Sequence, residues 1–233
     1  GAPIVVGADR PLVAASMCGV TTPCVERARA VLEEAGYEVL VFHATGSGGR
    51  TLEALAESGV LAGVLDLTTT ELADELVGGV LSAGPDRLTA AARCGVPQVV
   101  SVGALDMVNF HGVETVPERF RGRTLYKHNA SVTLMRTTAE ECATLGRDIG
   151  AKLAAARGAA VVFFPLRGIS AIDRAGQPFD DPAARMALLA GLNETRGAVP
   201  LVALDLHIND AAFAEACAAK LLELMRASAP THR

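Results

Sequence analysis

The chain has 233 residues, half of them apolar, 4% aromatic and 20% charged, with a formal net charge of -5. That length and apolar content bury a sizeable core and exclude a fibre, a disordered tail or a disulfide scaffold. The acidic balance and the lack of any Lys/Arg-rich run exclude nucleic acid as a main partner, because neutralising phosphates needs clustered bases.

Five scattered cysteines, Cys18, Cys24, Cys94, Cys142 and Cys217, form no CxxC pair, which reads as reduced thiols in a cytoplasmic chain. No stretch holds the roughly 18 apolar residues of a membrane span. No basic segment leads into an apolar one as in a signal peptide. The chain opens GAPIVVGADRP, so residues 1–11 read as a linker or an N-terminal extension. Residues 12–226 read as a single α/β domain and residues 227–233 as a tail.

In chain order, LVAASM at 12–17 is an apolar run expected as the first strand. GVTTPC follows, where Thr21 or Thr22 can cap a helix over 24–35 that stops at Gly36. VLVFHATGSGG, from Val39, then runs a buried strand into a glycine-rich turn and a helix over 50–58. A third strand at 63–67 completes strand, helix, strand, helix, strand, the pattern of a parallel sheet. DLTTTELAD follows at 66–74, where Thr68, Thr69 or Thr70 can cap a short acidic helix, although three hydroxyls exceed what a cap needs.

A helix over 86–93 and a fourth strand over 97–103 come next. Residues 104–136 show no long period, yet they hold Asp106, Asn109, His111, Lys127, His128, Asn129 and Arg136. A lid or partner-binding excursion over the strand ends is the expectation. Thr138 and Glu141 form a capping-box pattern for a helix over 138–157. A fifth strand at 159–166, a helix over 183–193, a sixth strand at 199–206 and a helix over 211–226 finish the chain. The expected fold is an open, doubly wound, mainly parallel sheet of about six strands, Rossmann-like and three-layered.

His43, Asp66, the threonine triplet, Asp106, Arg167, Asp205 and His207 fall at predicted strand ends, where open α/β sheets bind ligands. Thr45, Gly46, Ser47, Gly48 and Gly49 offer backbone NH groups to a phosphate or carboxylate; the alternative is a tight strand-to-helix connection. With Thr21, Thr22, His43 and Thr68 to Thr70 they make the candidate ligand-binding set. The dinucleotide fingerprint fails because Thr51 stands where its third glycine belongs, and no GK[ST] occurs. Asp205 and His207, on one strand face, could join His43 or His128 around a divalent metal, or be a local ion pair and an ordinary histidine.

Glu71, Asp106, His128 and His207 are the candidate proton-transfer groups. Cys18 or Cys24, with a thiol pKa lowered by a helix N-terminus, and more weakly Ser170, are candidate nucleophiles. No GxSxG elbow is present.

GVTTPC, GYEVLVFHATGSGG, GVLDLTTTELADELVGGVLSAGPDRL, GALDMVNF, LYKHNASVTLMRTT and DLHIND occur in an order and spacing that resemble the carboxyl-terminal domain of uncharacterised protein family 0261, the Tm-one-like ATP-binding family. The resemblance spans Arg10 to Leu224. It implies ATP or another phosphorylated ligand as a cofactor, and an upstream family domain as a partner; plant relatives include a tomato mosaic virus resistance protein. Two functions are expected. One is an enzyme of hydrolase or lyase type acting on a small oxygenated or phosphorylated molecule. The other is a nucleotide-responsive module that pairs with a second copy, as a homodimer, or with the upstream domain.

Overall fold

The computed structural model describes residues 10–228, and the elements run in the expected alternation. They are β1 (Leu12–Met17), α1 (Thr22–Glu34), β2 (Glu38–His43), α2 (Ser47–Glu57), β3 (Leu61–Thr68), α3 (Glu71–Val77), α4 (Ala90–Cys94) and β4 (Gln98–Gly103). Then follow β5 (Met107–Phe110), β6 (Leu125–Lys127), β7 (Thr133–Arg136), α5 (Ala139–Ala154), β8 (Ala160–Pro165), α6 (Pro182–Thr195), β9 (Leu201–Leu204) and α7 (Ala211–Ser228). Of the expected extension and tail, residues 1–9 and 229–233 lie outside the described residues, while Ala227 and Ser228 continue α7.

The main sheet is parallel throughout, in the order β2-β1-β3-β4-β8-β9. β1, β4 and β8 are buried nearly end to end because helices cover both faces of the sheet. α1 and α7 pack on one face around Leu32, Leu65 and Phe213. α2 and α4 cover the first strands on the other face through Leu52 and Ala91, and α5 and α6 continue that layer around Val162, Leu145 and Leu188. The result is the expected three-layer, Rossmann-like arrangement. The capping box on α5 forms as its sequence predicts, with Thr138 Oγ accepting from Glu141 N and Glu141 reaching back to Thr138 N.

Two local expectations change. Residues 86–89 are not helical, and α4 begins only at Ala90; Leu88 is left-handed at φ 73° and Glu53 takes the NH groups of Leu88, Thr89 and Ala90. Residues 104–136 are not an irregular excursion but carry a second, antiparallel sheet, β5-β7-β6. Its strands have three or four residues, and β5 and β7 are buried on both faces, so no alternation marks them. Among the described residues no helix is long and apolar enough to cross a membrane.

Candidate functional site

The strand order places β1 and β3 side by side, with β1 connecting outward to β2 and β3 outward to β4. The chain therefore diverges beyond their carboxyl ends, and a crevice is expected there. Most of the candidate residues gather at these ends, where the structure divides them into three groups.

The first group is saturated from inside. Gly46, left-handed at φ 84°, and Gly49 both donate their NH groups to Glu71 Oε1, at 2.7 and 3.0 Å. Glu71 is buried, and its other oxygen accepts Arg87 Nε at 2.7 Å. Arg87, also buried, grips Asp66 with both terminal nitrogens at 2.5 and 2.7 Å and reaches Glu53 at 3.1 Å. Ser16 Oγ donates to Asp66 at 2.6 Å. The anion expected in the glycine turn is thus a side chain of this chain, and Glu71 is held by one ion pair and two backbone NH groups instead of being free to exchange protons with a ligand. His43, Thr45 and Ser47 lie exposed beside the turn, away from this cluster's interior.

The threonines tie strands together. Thr68 Oγ1 lies 2.8 Å from Thr21 Oγ1, and Thr68 N donates to Ser16 Oγ. Thr69 Oγ1 donates to the Ser101 carbonyl, and Thr70 Oγ1 accepts from Asn109 Nδ2 at 3.4 Å. Thr22 Oγ1 donates to the Cys18 carbonyl. Neither Thr21 nor Thr70 caps its helix through the side chain, contrary to the expectation, because both hydroxyls are drawn across the strand ends. Asp74 accepts Asn109 N and Nδ2 at 2.8 and 2.7 Å and so joins α3 to β5; burial raises its carboxyl to about 7.

The second group surrounds Asp106. Ser170 Oγ donates to Asp106 Oδ2 at 2.7 Å and accepts the Ile172 and Asp173 NH groups. His207 Nδ1 accepts from Asn209 N at 3.1 Å, so its proton sits on Nε2, 2.8 Å from the Ser170 carbonyl. Burial pushes the His207 pKa down, which favours the neutral ring. The imidazole therefore meets the serine backbone and not its hydroxyl, which gives its proton to Asp106: this is no nucleophilic triad. Asp205 forms a bidentate exposed pair with Arg167, at 2.8 and 2.7 Å, and His207 has no free nitrogen to join it. Among the described residues no three His, Cys, Asp or Glu side chains converge as a metal site.

Asp106 is fully buried, and its Oδ1 has no hydrogen-bond partner. Burial first, then the nearby Asp173 carboxylate, push its pKa up to about 7. The folded state keeps this proton up to about 7 while the unfolded chain releases it near 3.8, so the stability drawn from it is full in acid and lost as pH rises through that interval. Asp106→Asn retains an oxygen for Ser170 and removes the titration. Urea unfolding across pH should show this variant more stable than the parent above about pH 7, with a shallower decline below it. Asp74 contributes a slope of the same sign, so the decline should shrink, not vanish. An unaltered slope would refute the assignment.

The third group is the open one. A cavity of about 150 Å³ lies between the β1 exit and the small sheet, lined by Cys18, Gly19 and Val20, by Asn109 on β5, and by His128 and Val132 of the β6-β7 hairpin. His128 N and Asn129 N both donate to the Val132 carbonyl, which closes the hairpin and fixes where His128 starts. Tyr126 packs edge-on against Phe179 at 6.3 Å and supports the hairpin from below. Burial raises the Cys18 thiol to about 11 and Cys24 to about 12, the reverse of the expected lowering, so neither is a ready thiolate.

Of the four candidate proton-transfer residues only His128 lines this cavity. Arg87, Glu53 and Ser16, which organise the strand ends, carry no motif that marks them. The one available hint was the surplus of carboxylates at the strand ends, which calls for a buried cation.

Strand order and layers define a doubly wound α/β domain with a small antiparallel sheet beside the exit of β1. The chain belongs to an uncharacterised family: the model described as "Uncharacterised protein family (UPF0261) C-terminal domain" matches residues 10–225. It is 55% identical to a UPF0261 protein of Clostridium tetani over 219 residues, covering 93% of this chain and 54% of that protein. A UPF0261 protein of Rhizobium meliloti is 54% identical over 217 residues, covering 91% and 54%. The ToMV resistance protein Tm-1 of Solanum lycopersicum is 45% identical over 215 residues, covering 91% of this chain and 28% of that protein. The chain thus spans about half the length of the bacterial relatives it matches, and less of the tomato one.

Proposed function

We propose that this domain binds a small oxygenated acid in the crevice between the β1 exit and the β6-β7 hairpin, and that His128 exchanges a proton with it, as an enzyme of hydrolase or lyase type would require. The observation that carries this reading is the cavity at the switch point, into which the exposed His128 is delivered by a closed hairpin opposite the buried Asn109. Its volume of about 150 Å³ is below the roughly 300–1,000 Å³ of drug-sized sites, which favours a ligand of few atoms over a nucleotide. The glycine turn adds no support for ATP, because Glu71 already holds its NH groups. ATP binding, where it occurs among relatives, is assigned in this reading to sequence that this chain does not span.

A thermal-shift screen of small hydroxy, keto and dicarboxylic acids against ATP and ADP tests the proposal. A ligand at 100 times its dissociation constant adds about 2.7 kcal/mol of stability. At least one small acid should stabilise the chain, and His128→Gln should weaken that binding about tenfold, equivalent to about 1.4 kcal/mol. A shift with nucleotide alone, or acid binding indifferent to His128→Gln, would overturn it.

A further inference from the structure

Apart from the crevice, and sharing none of its lining residues, two hollows flank a ridge formed by α3 and α5. One hollow, of about 210 Å³, is lined by Leu72, Glu75, Leu76, Pro85 and Leu145 among others. The other, of about 340 Å³, is lined by Leu76, Val77, Arg119, Phe120 and Glu140 among others. Leu76 and Thr144 line both, so the two are continuous across that ridge. Leu76 is 43% exposed, and Val80, just past the helix, is 44% exposed. Leu76 stands between the two hollows, so it belongs to one joined apolar patch and is not a singly exposed side chain.

The charges beside it are also incomplete. Arg119 lies over the Phe120 ring at 4.6 Å but has no carboxylate partner among the described residues. Glu140 lines the same hollow, yet its carboxylate has no cationic partner among them either. One surface therefore holds an exposed apolar knob, an apolar hollow next to it, an unpaired cation and an unpaired anion.

We propose that this α3–α5 face is the contact between two copies of the chain. A two-fold axis makes a surface meet itself, so the surface must carry both halves of every complement. Here Leu76 of one copy enters the hollow floored by Leu72 and Leu145 of its partner, and Arg119 of each copy meets Glu140 of the other. A partner of one sign of charge would leave either Arg119 or Glu140 opposed by a like charge, which favours the second copy over a uniformly basic or acidic segment.

Sedimentation equilibrium of the chain, from micromolar to hundred-micromolar concentration, tests this. A reversible dimer is expected. Leu76→Glu should weaken it at least tenfold while leaving the circular dichroism spectrum and monomer unfolding unchanged, because the side chain is half-exposed. Arg119→Glu and Glu140→Arg should each weaken association, and the two together should restore it. A monomer at every concentration would overturn the proposal and hand the face to the part of the family protein that this chain does not span. A dimer indifferent to Leu76→Glu, or a charge exchange that fails to restore association, would overturn it equally.

Discussion

Methionine at position 87 is expected to cost the domain about 3–5 kcal/mol, enough to unfold many domains of this size, because it leaves buried carboxylates without their cation. Arg87 has no exposed surface on its side chain, and Asp66 and Glu71 are equally enclosed. Its five NH donors are distributed over Glu71, Asp66, Glu53 and the Thr68 carbonyl, and the negative partners hold its pKa well above the usual value despite burial. No other cation reaches Asp66 or Glu71 among the described residues, so none can substitute. Urea unfolding followed by circular dichroism measures the loss. Glu71→Gln added to Arg87→Met should recover part of it by removing one orphaned charge, and a single-variant loss below about 1 kcal/mol would refute the hub.

Alanine at Gly49 should be nearly as damaging. A Cβ there would stand 2.1 Å from Glu71 Oε2, and the carboxylate cannot retreat because Arg87 and Gly46 hold it from other sides. Overpacking of this kind costs about 1–3 kcal/mol, and loss of a buried charge-assisted hydrogen bond adds to it. Glu71→Ala, itself destabilising, vacates the space that the new methyl needs. A double-mutant cycle should therefore show the pair costing at least 1 kcal/mol less than the sum of the singles. Additive losses would mean that the clash is relieved elsewhere. Gly48 offers a harder control, since a Cβ there would meet the His43 backbone carbonyl at 1.8 Å, whatever stands at position 71.

These two positions also show how far the sequence could be read. The strands were legible because runs such as LVAASM and AVVFFP are buried on both faces, and α5 was legible because its cap is written in Thr138 and Glu141. α2 starts at Ser47, earlier than expected, because Gly48 and Gly49 enter the helix itself. The second sheet is not legible, because strands of three or four residues carry no period.

At the site, the positions of the polar residues at the strand ends could be read but their partners could not. Ser16 meets Asp66 across 50 positions, Glu71 meets Gly46 across 25, and Ser170 meets Asp106 across 64. Nothing local distinguishes a carboxylate that waits for a ligand from one that has found an internal donor. His128 differs in that the turn presenting it is local: the hairpin closes within four residues, at Val132.

The glycine turn filled by Glu71 has a consequence for how other chains are interpreted. A strand, a glycine run and a helix form an anion receptor whether the anion arrives from solvent or from the same polypeptide, and the two cases share one local spelling. In the second case the receptor works as a fastener, locking α2 to the start of α3 once the chain has folded. Its glycines, its acid and its buried arginine are then physically interlocked, so that a change at one leaves the groups it held without their partners. A search that scores the glycines alone would count such domains as phosphate binders, whereas asking whether an acid and an arginine accompany them separates fasteners from receptors.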